Sequence, residues 1–300
     1  MKDSKIAIIG AGRLGRTIGF ILRSAGYAIC AVSCRSMENA RNAVNFIGEG
    51  IPYDDPIKAA NGAAIIFITT ADNAIAETSG LLAKYGAIKA GAAILHCSGS
   101  LNSSALAEMR RIKSFTGSMH PMASFAMPET AVKNLQGVYW CYEGDEEIFP
   151  LIEQLVTDMR GIPLKINPDM KVLYHAASVI ACNYTIPLTA SAVSLLKKSG
   201  LNGEQATGAL IRLMRSTLDN LSTAPPEKAL TGPIARGDIA TIEGHLKNLS
   251  ESAPEHLPLY AFMGLMTLPV AEKGNMINQQ QSQKIAHLLT DYLNRRRKRH

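Results

Sequence analysis

The stretch Ile6-Ala7-Ile8-Ile9-Gly10-Ala11-Gly12-Arg13-Leu14-Gly15 reads as a strand, a turn and the start of a helix. Four apolar residues in a row suit a strand buried on both faces, and a helical period begins directly behind the glycines. The glycines follow the spacing G-x-G-x-x-G. The first permits a tight turn, the second lets the backbone approach a pyrophosphate, and the third lets the helix pack against the sheet. The helix N-terminus then turns its unpaired N–H groups toward the phosphates. Gly10, Gly12, Arg13, Leu14 and Gly15 are therefore expected to hold a dinucleotide.

Outward from this stretch the pattern repeats. Ala28–Ser33, Ala64–Thr69, Ala92–His96 and Phe115–Met119 read as further buried strands, with helical segments at 13–25, 36–47, 73–85 and 102–111. Such alternation predicts an α/β fold with a doubly wound, mostly parallel sheet. Val138–Tyr142 and Pro163–Ile166 extend it, with a helix from Glu146 to Met159 between them. After Asn167-Pro168 the strand signals stop. Helical periods follow at 169–199, 203–222, 238–250, 255–273 and 279–298, punctuated by Gly200, Asn202-Gly203, Pro225-Pro226 and Gly232-Pro233. The expected organisation is a nucleotide-binding domain over 1–167 and an all-α domain over 168–300.

Composition narrows the function classes. The chain has 300 residues, 47% hydrophobic and 19% charged, which is ordinary for a globular protein with a buried core. The longest apolar run, Leu173–Val193, carries His175, Asn183 and Pro187 and reads poorly as a membrane span. Five of the six net positive charges come from Arg295, Arg296, Arg297, Lys298 and Arg299. That run reads as a solvated helix end, and the remaining chain offers no basic stripe for nucleic acid. The five cysteines form no C-x-x-C pair, and no signal peptide is expected, so a cytoplasmic protein with reduced thiols is the expectation. His96 and Cys97 lack a third ligand at useful spacing, so no metal site is expected. Met119, Met122 and Met127 read as packing or cleft lining.

A site for NAD needs a carboxylate near the end of the second strand, to bind the ribose 2′-hydroxyl. Here the chain reads Val32-Ser33-Cys34-Arg35-Ser36, with no acid before Glu38. Two hydroxyls and a guanidinium suit a 2′-phosphate instead, so Ser33, Arg35 and Ser36 point to NADP. Ser36 is also placed to cap the following helix. Thr69, Thr70 and Ser98 fall at strand ends where the nicotinamide ribose would lie, though Thr70 and Ser98 are equally placed to cap helices.

Hydride chemistry also needs a proton donor and a means of holding the substrate. Lys171, His175, Ser178 and Cys182 follow 4, 3, 4 spacing and share a helix face, with Asn183 on its flank. Polar groups in an apolar helix stripe must be satisfied or face a cavity. His120, before Pro121, is either a second proton donor or a structural loop histidine. Arg236, in Gly232-Pro233-Ile234-Ala235-Arg236-Gly237-Asp238, is placed to grip an anionic substrate, and the alternative is a helix–helix turn with an Arg–Asp surface pair.

IAIIGAGRLG (6–15), LHCSGS (95–100), GSMHP (117–121), YHAASVIACNY (174–184) and LTGPIARGD (230–238) together resemble a known family along essentially the whole chain. It is that of Rossmann-like predicted oxidoreductases whose second half is a helical domain of unknown function. The resemblance implies a C-terminal domain similar to that of 6-phosphogluconate dehydrogenase, and a homodimer. Some members resemble ketopantoate reductase, which implies NADPH, catalytic roles for Lys171 and Asn183, and a carboxylate held by Arg236. His175 departs from that pattern. Prephenate dehydrogenase is similar at Gly99-Ser100 and His120-Pro121, and pyrroline-5-carboxylate reductase in the first half only.

The expected activity is hydride transfer from NADPH to a small 2-oxo acid, with ketopantoate first among substrates. In it Lys171 or His175 protonates, Asn183 orients, His120 shapes the nicotinamide end, and Ser100, Arg236 and Asp238 contact substrate. The alternatives are a prephenate dehydrogenase-like or imine-reducing enzyme, or an NADPH-binding redox sensor without turnover.

Overall fold

A computed structural model describes residues 2, 4–123 and 135–297. Met127 and the side chains of the basic run Arg295–Arg299 lie outside the described residues. The chain divides into two compact units, Met1–Asn183 and Tyr184–His300.

The first unit is built on eight strands: β1 (Ile6–Ile9), β2 (Ile29–Ser33), β3 (Ile51–Tyr53), β4 (Ile65–Ile68), β5 (Ala93–His96), β6 (Phe115–Pro121), β7 (Tyr139–Gly144) and β8 (Ile162–Lys165). They form one sheet in the order β3-β2-β1-β4-β5-β6-β7-β8. β1 to β6 pair in parallel, β7 runs antiparallel to β6, and β8 lies parallel to β7. The doubly wound, mostly parallel sheet expected from the sequence is present. The three-residue β3, which the sequence reading omitted, holds Pro52 and sits at the sheet edge, where a residue without an N–H is tolerated.

Side-chain alternation sends successive residues of one strand to opposite faces. Ile6 and Ile8 join Ile18 and Leu22 of α1 (Arg13–Ser24), Ile47 of α2 (Met37–Ile47) and Ile152 of α6 (Phe149–Asp158). Ala7 and Ile9 face the other way. Their cluster contains Ala59 and Ala60 of α3 (Pro56–Ala60), Ile75 and Leu82 of α4 (Asp72–Tyr85), and Met109 of α5 (Ala107–Arg111). A sheet covered on both faces leaves its carboxyl edge as the place for ligands, at the point where strand order reverses between β1 and β4.

The first unit continues past the expected boundary at residue 167 and takes in α7 (Lys171–Ser178). The physical reason is Lys171, which is 1% exposed and ion-paired to Glu143 of β7. After α7 the helix does not run on regularly, as the 4, 3, 4 spacing assumed. Val179–Asn183 is a π turn, whose i→i+5 bonding rotates the residues that follow. Cys182 and Asn183 are exposed, whereas Ser178 stays half-buried on the face of His175. By length and composition alone the 31-residue run Pro168–Lys198 is apolar enough to cross a membrane. Its first turn is tied to the sheet by that ion pair.

The second unit is all helix among the described residues: α8 (Thr185–Lys198), α9 (Gly203–Thr223), α10 (Pro226–Ala229), α11 (Ile239–Ser252), α12 (Leu257–Lys273) and α13 (Gln279–Arg297). Asn202 and Gln205 form a reciprocal capping box at the start of α9. Ile242, Leu246, Leu257, Ala261, Leu268, Ile285 and Leu289 make its core.

Candidate active site

The β1–α1 turn is organised by contacts its glycines alone allow. Gly10 adopts φ +84°, and a methyl group there would meet Thr70 Cγ2 at 2.5 Å. Its N–H and that of Ala11 donate to the Ser33 carbonyl at 2.9 and 3.0 Å, which ties the turn to the end of β2. A side chain at Gly15 would strike Thr69 Oγ1, whose hydroxyl donates to the carbonyls of Ile9 and Gly10. Gly12 begins α1 with no side-chain cap, and no atom lies within 4 Å of where its Cβ would stand. An uncapped helix N-terminus opening onto free space fits a phosphate. Thr70 Oγ1 is buried there without a partner.

Several expected contacts of this turn have other duties. Ser33 is 2% exposed and acts through its carbonyl, and Thr69 is spent on the turn's own backbone. Ser36 accepts from Asn39 N and caps α2, while Leu14 packs against the core. Arg13 and Arg35 are exposed. Arg35 stands at the end of β2 with no acid beside it in sequence before Glu38.

Farther along the carboxyl edge, Asp72 at the start of α4 accepts from both Ser98 Oγ and Ser100 Oγ at 2.8 Å. Ser98 Oγ also accepts from Ser100 N and Leu101 N. These two serines therefore shape the loop after β5; neither hydroxyl is the free contact to ribose or substrate that the sequence suggested. His96 is buried, takes the Ser98 N–H on Nδ1 and donates from Nε2 to the Asn102 carbonyl. Burial, with Lys171 nearby, lowers its pKa to about 4. It is a satisfied structural histidine. Burial also pushes the Cys97 thiol up to about 12, which leaves it inert.

The antiparallel step from β6 to β7 builds the chemical centre. Ser118 pairs in register with Glu143, and His120 with Cys141. Residues two apart share a face, so both pairs present side chains to the same side. Helix α7 reads these pairs with residues three apart. Lys171 donates to Ser118 Oγ and to Glu143 Oε1, the latter at 3.1 Å. Tyr174 Oη lies 2.6 Å from His120 Nδ1 and also contacts Cys141. Glu143 further accepts from Ser103 N at 3.0 Å.

This geometry corrects the role expected for Lys171. Its ammonium is buried, satisfied by Glu143 and Ser118, and its pKa is lowered by burial against the opposing pull of Glu143. It is a clamp between α7 and the sheet, with no exposed proton to deliver. Asn183 is exposed on the π turn, and none of the hydrogen bonds of the imidazole centre includes it.

His175 and His120 converge on Gly99. A Cβ at that position would lie 2.5 Å from His175 Nδ1 and 3.0 Å from His120 Nε2. His175 Nδ1 is buried without a hydrogen-bond partner. Burial lowers the His120 pKa to about 4, reinforced by Lys171 and His175 and opposed by Asp72. Two imidazoles with inward nitrogens free of protein partners can donate to, or accept from, a small polar molecule at this edge. Tyr174, Glu143 and Cys141 escaped the sequence reading as site residues, and Gly99 entered it only through the similarity of the Gly99-Ser100 turn. The available signal was alternation: Ser118 and His120, Cys141 and Glu143 are polar or titratable at every second position of otherwise apolar strands.

Arg236 and Asp238 belong to the second unit. Arg236 is exposed in the Gly232–Gly237 turn. Asp238 caps α11 through Thr241 N at 3.1 Å and Thr241 Oγ1 at 2.7 Å, so its carboxylate is committed to the helix. Those two bonds hold its pKa below the usual carboxylate range, with Arg236 adding a smaller pull. Among the described residues no group of three His, Cys, Asp or Glu side chains could hold a metal.

A dinucleotide-type sheet with an imidazole pair at its carboxyl edge defines the class. Residues 2–121 match the Rossmann-like domain, and residues 138–267 match the domain of unknown function DUF2520. The chain thus joins a Rossmann-like domain to a DUF2520 helical domain. No curated protein sequence matches it significantly. A Thermotoga maritima protein shares 25% identity over 90% of this chain and 99% of its own, with a TM-score of 0.69. A Bacteroides fragilis protein, provisionally described as an NADP oxidoreductase, shares 23% over 88% and 97%, with a TM-score of 0.70. A reductive aminase from Aspergillus terreus, solved with NADPH and ethyl levulinate, shares 17% over 96% and 99%, with a TM-score of 0.62.

Proposed function

We propose that this chain is an NADP-dependent oxidoreductase that reduces the carbonyl of a small 2-oxo acid, with ketopantoate the substrate to test first. The observation that carries the reading is the pair His120 and His175 meeting at Gly99, on the sheet edge that also bears the uncapped N-terminus of α1. The fold relatives described with NADP or NADPH support the cofactor.

The residues present fit such a cofactor. Gly12 and the first turn of α1 would hold the pyrophosphate, Arg35 the 2′-phosphate, and Thr70 Oγ1 would gain the partner it lacks. When bound, NADPH supplies a hydride. His120 donates a hydrogen bond to the carbonyl oxygen, and His175 delivers the proton that completes the alcohol. The loop held by Asp72, Ser98 and Ser100 keeps Gly99 in place between them. Arg236 remains the proposed anchor for the substrate carboxylate, a role that rests on its sequence setting.

An imine is the second reading, favoured by the similarity to a reductive aminase. His175 would then deliver the proton to the nitrogen, with His120 donating a hydrogen bond to it. We also take the protein to be cytoplasmic, since its five cysteines form no disulfide, and to be a homodimer. In the helical unit Ile186, Leu213, Leu218, Phe262 and Met266 are each more than half exposed, which supports burial against a second copy.

The test is NADPH consumption with ketopantoate and pyrroline-5-carboxylate, and NADP⁺ reduction with prephenate. Saturable turnover with ketopantoate supports the lead reading, and turnover with the cyclic imine alone selects the second. Tight NADPH binding with no turnover of any substrate would favour a sensor.

A further inference from the structure

We propose that Tyr174 is a positioning residue that fixes His120 as its Nε2–H tautomer, so that a neutral imidazole presents an N–H donor beside Gly99. This deepens the oxidoreductase reading and rests on it for its catalytic meaning.

His120 Nδ1 makes one short hydrogen bond among the described residues. Tyr174 Oη lies 2.6 Å away, and the rings meet edge to face at 82°. Either atom can be the donor. The Tyr174 hydroxyl has two other side-chain neighbours, the thiol of Cys141 and the hydroxyl of Ser178, whose own proton goes to the Tyr174 carbonyl. An imidazole nitrogen is a stronger acceptor than a hydroxyl oxygen and far stronger than a thiol sulfur. The proton of Tyr174 therefore goes to Nδ1, and the thiol of Cys141 is left to donate to Oη. With Nδ1 occupied as an acceptor, the one proton of a neutral imidazole sits on Nε2, the nitrogen that faces Gly99.

The surroundings keep that imidazole neutral. Lys171, Tyr174 and His175 face it from α7, Cys141 from β7, Asp72 from α4 and His96 from β5. Lys171 is a buried cation, and the histidines add positive charge if they ionise. Asp72 alone pulls the other way, and its carboxylate is already engaged by Ser98 and Ser100. Burial pushes the Tyr174 pKa far up, so its hydroxyl stays protonated and available as donor. His120 therefore polarises an acceptor oxygen or nitrogen without giving up its own proton. That leaves proton delivery to His175, on the neighbouring position of the same helix.

The test is the ¹⁵N spectrum of histidine-labelled full-length protein between pH 6 and 9, without cofactor or substrate, with His120 identified from the His120→Gln spectrum. The expected result is a pyrrole-type Nε2 and a pyridine-type Nδ1. Tyr174→Phe should mix the tautomers and lower kcat by about 10- to 100-fold while leaving NADPH affinity unchanged. Cys141→Ala should leave the tautomer as it is. A protonated Nδ1 in the wild-type protein would overturn the proposal, and so would a Cys141→Ala spectrum with the tautomer reversed. Because the tautomer is read without turnover, a protein inactive on every substrate can still show it. Conversely, an active protein with the opposite tautomer would keep the function and remove this role. Should Tyr174→Phe fail to fold, the wild-type and Cys141→Ala spectra decide.

Discussion

His120 and His175 stand edge to face, with ring centroids 6.0 Å apart and planes at 85°, and any side chain at Gly99 would collide with both imidazoles. One histidine comes from the end of β6 and the other from α7, so no local sequence pattern joins them. The packing of helix on sheet does.

Gly99→Ala is therefore expected to push both imidazoles aside, since the new methyl would lie 2.5 Å from His175 Nδ1. A displacement of about 1 Å at reacting groups costs about 100-fold in rate. Turnover should fall on that order while NADPH affinity, measured by calorimetry, stays near the wild-type value. Wild-type kinetics in this variant would mean that the imidazole pair does not meet the substrate.

Lys171→Met removes one partner of a buried ion pair and strands Glu143, which is 1% exposed. The expected loss is about 3–5 kcal/mol of unfolding free energy. Adding Glu143→Gln in the same chain should recover most of it, because the amide oxygen can still accept from Ser103 N. Urea denaturation of the single and double variants checks this. Equal losses in both would show that the lysine contributes packing alone.

Arg35→Ala should weaken NADPH binding by tenfold or more, as loss of a charged hydrogen bond of about 1.5–3 kcal/mol predicts. NADH binding should change little, since the guanidinium is assigned to the 2′-phosphate. Equal weakening of both cofactors would move Arg35 away from that phosphate.

His96 and His120 both carry folded-state pKa values of about 4 against an ordinary 6.5. The unfolded chain then binds protons that the folded chain refuses, between about pH 6.5 and pH 4. Stability is present above that window and is lost as pH falls through it. In His120→Gln the urea midpoint should decline less steeply than in wild type across the same range. An identical slope would show that His120 titrates alike in both states.

Much of this fold is legible in the sequence because β1, β2, β4 and β5 are short, mostly apolar runs that lead directly into turns and helices. Ile6–Gly15 is enough for the first strand, its turn and its helix, and the later strands repeat the rule. β3 escapes it because Ile51, Pro52 and Tyr53 are too few to show a period and one of them cannot donate. The site was legible only by parts. His120 and His175 stood out as titratable residues in apolar settings, but Lys171, equally conspicuous, is drawn inward by Glu143, far from it in sequence. Which polar residue faces a cavity and which faces a buried partner depends on the β6–β7 register, and register is tertiary information. The π turn at Val179–Asn183 likewise defeats a helical-wheel reading, since the regular period on which it relies is broken there.

The most direct test of the central claim is single-turnover oxidation of bound NADPH by ketopantoate in wild type, His120→Asn and His175→Asn, with NADPH affinity measured beside it. The account predicts a rapid phase in wild type, slowed by at least about 100-fold in both variants with cofactor affinity retained. Wild-type oxidation rates in both variants would contradict it.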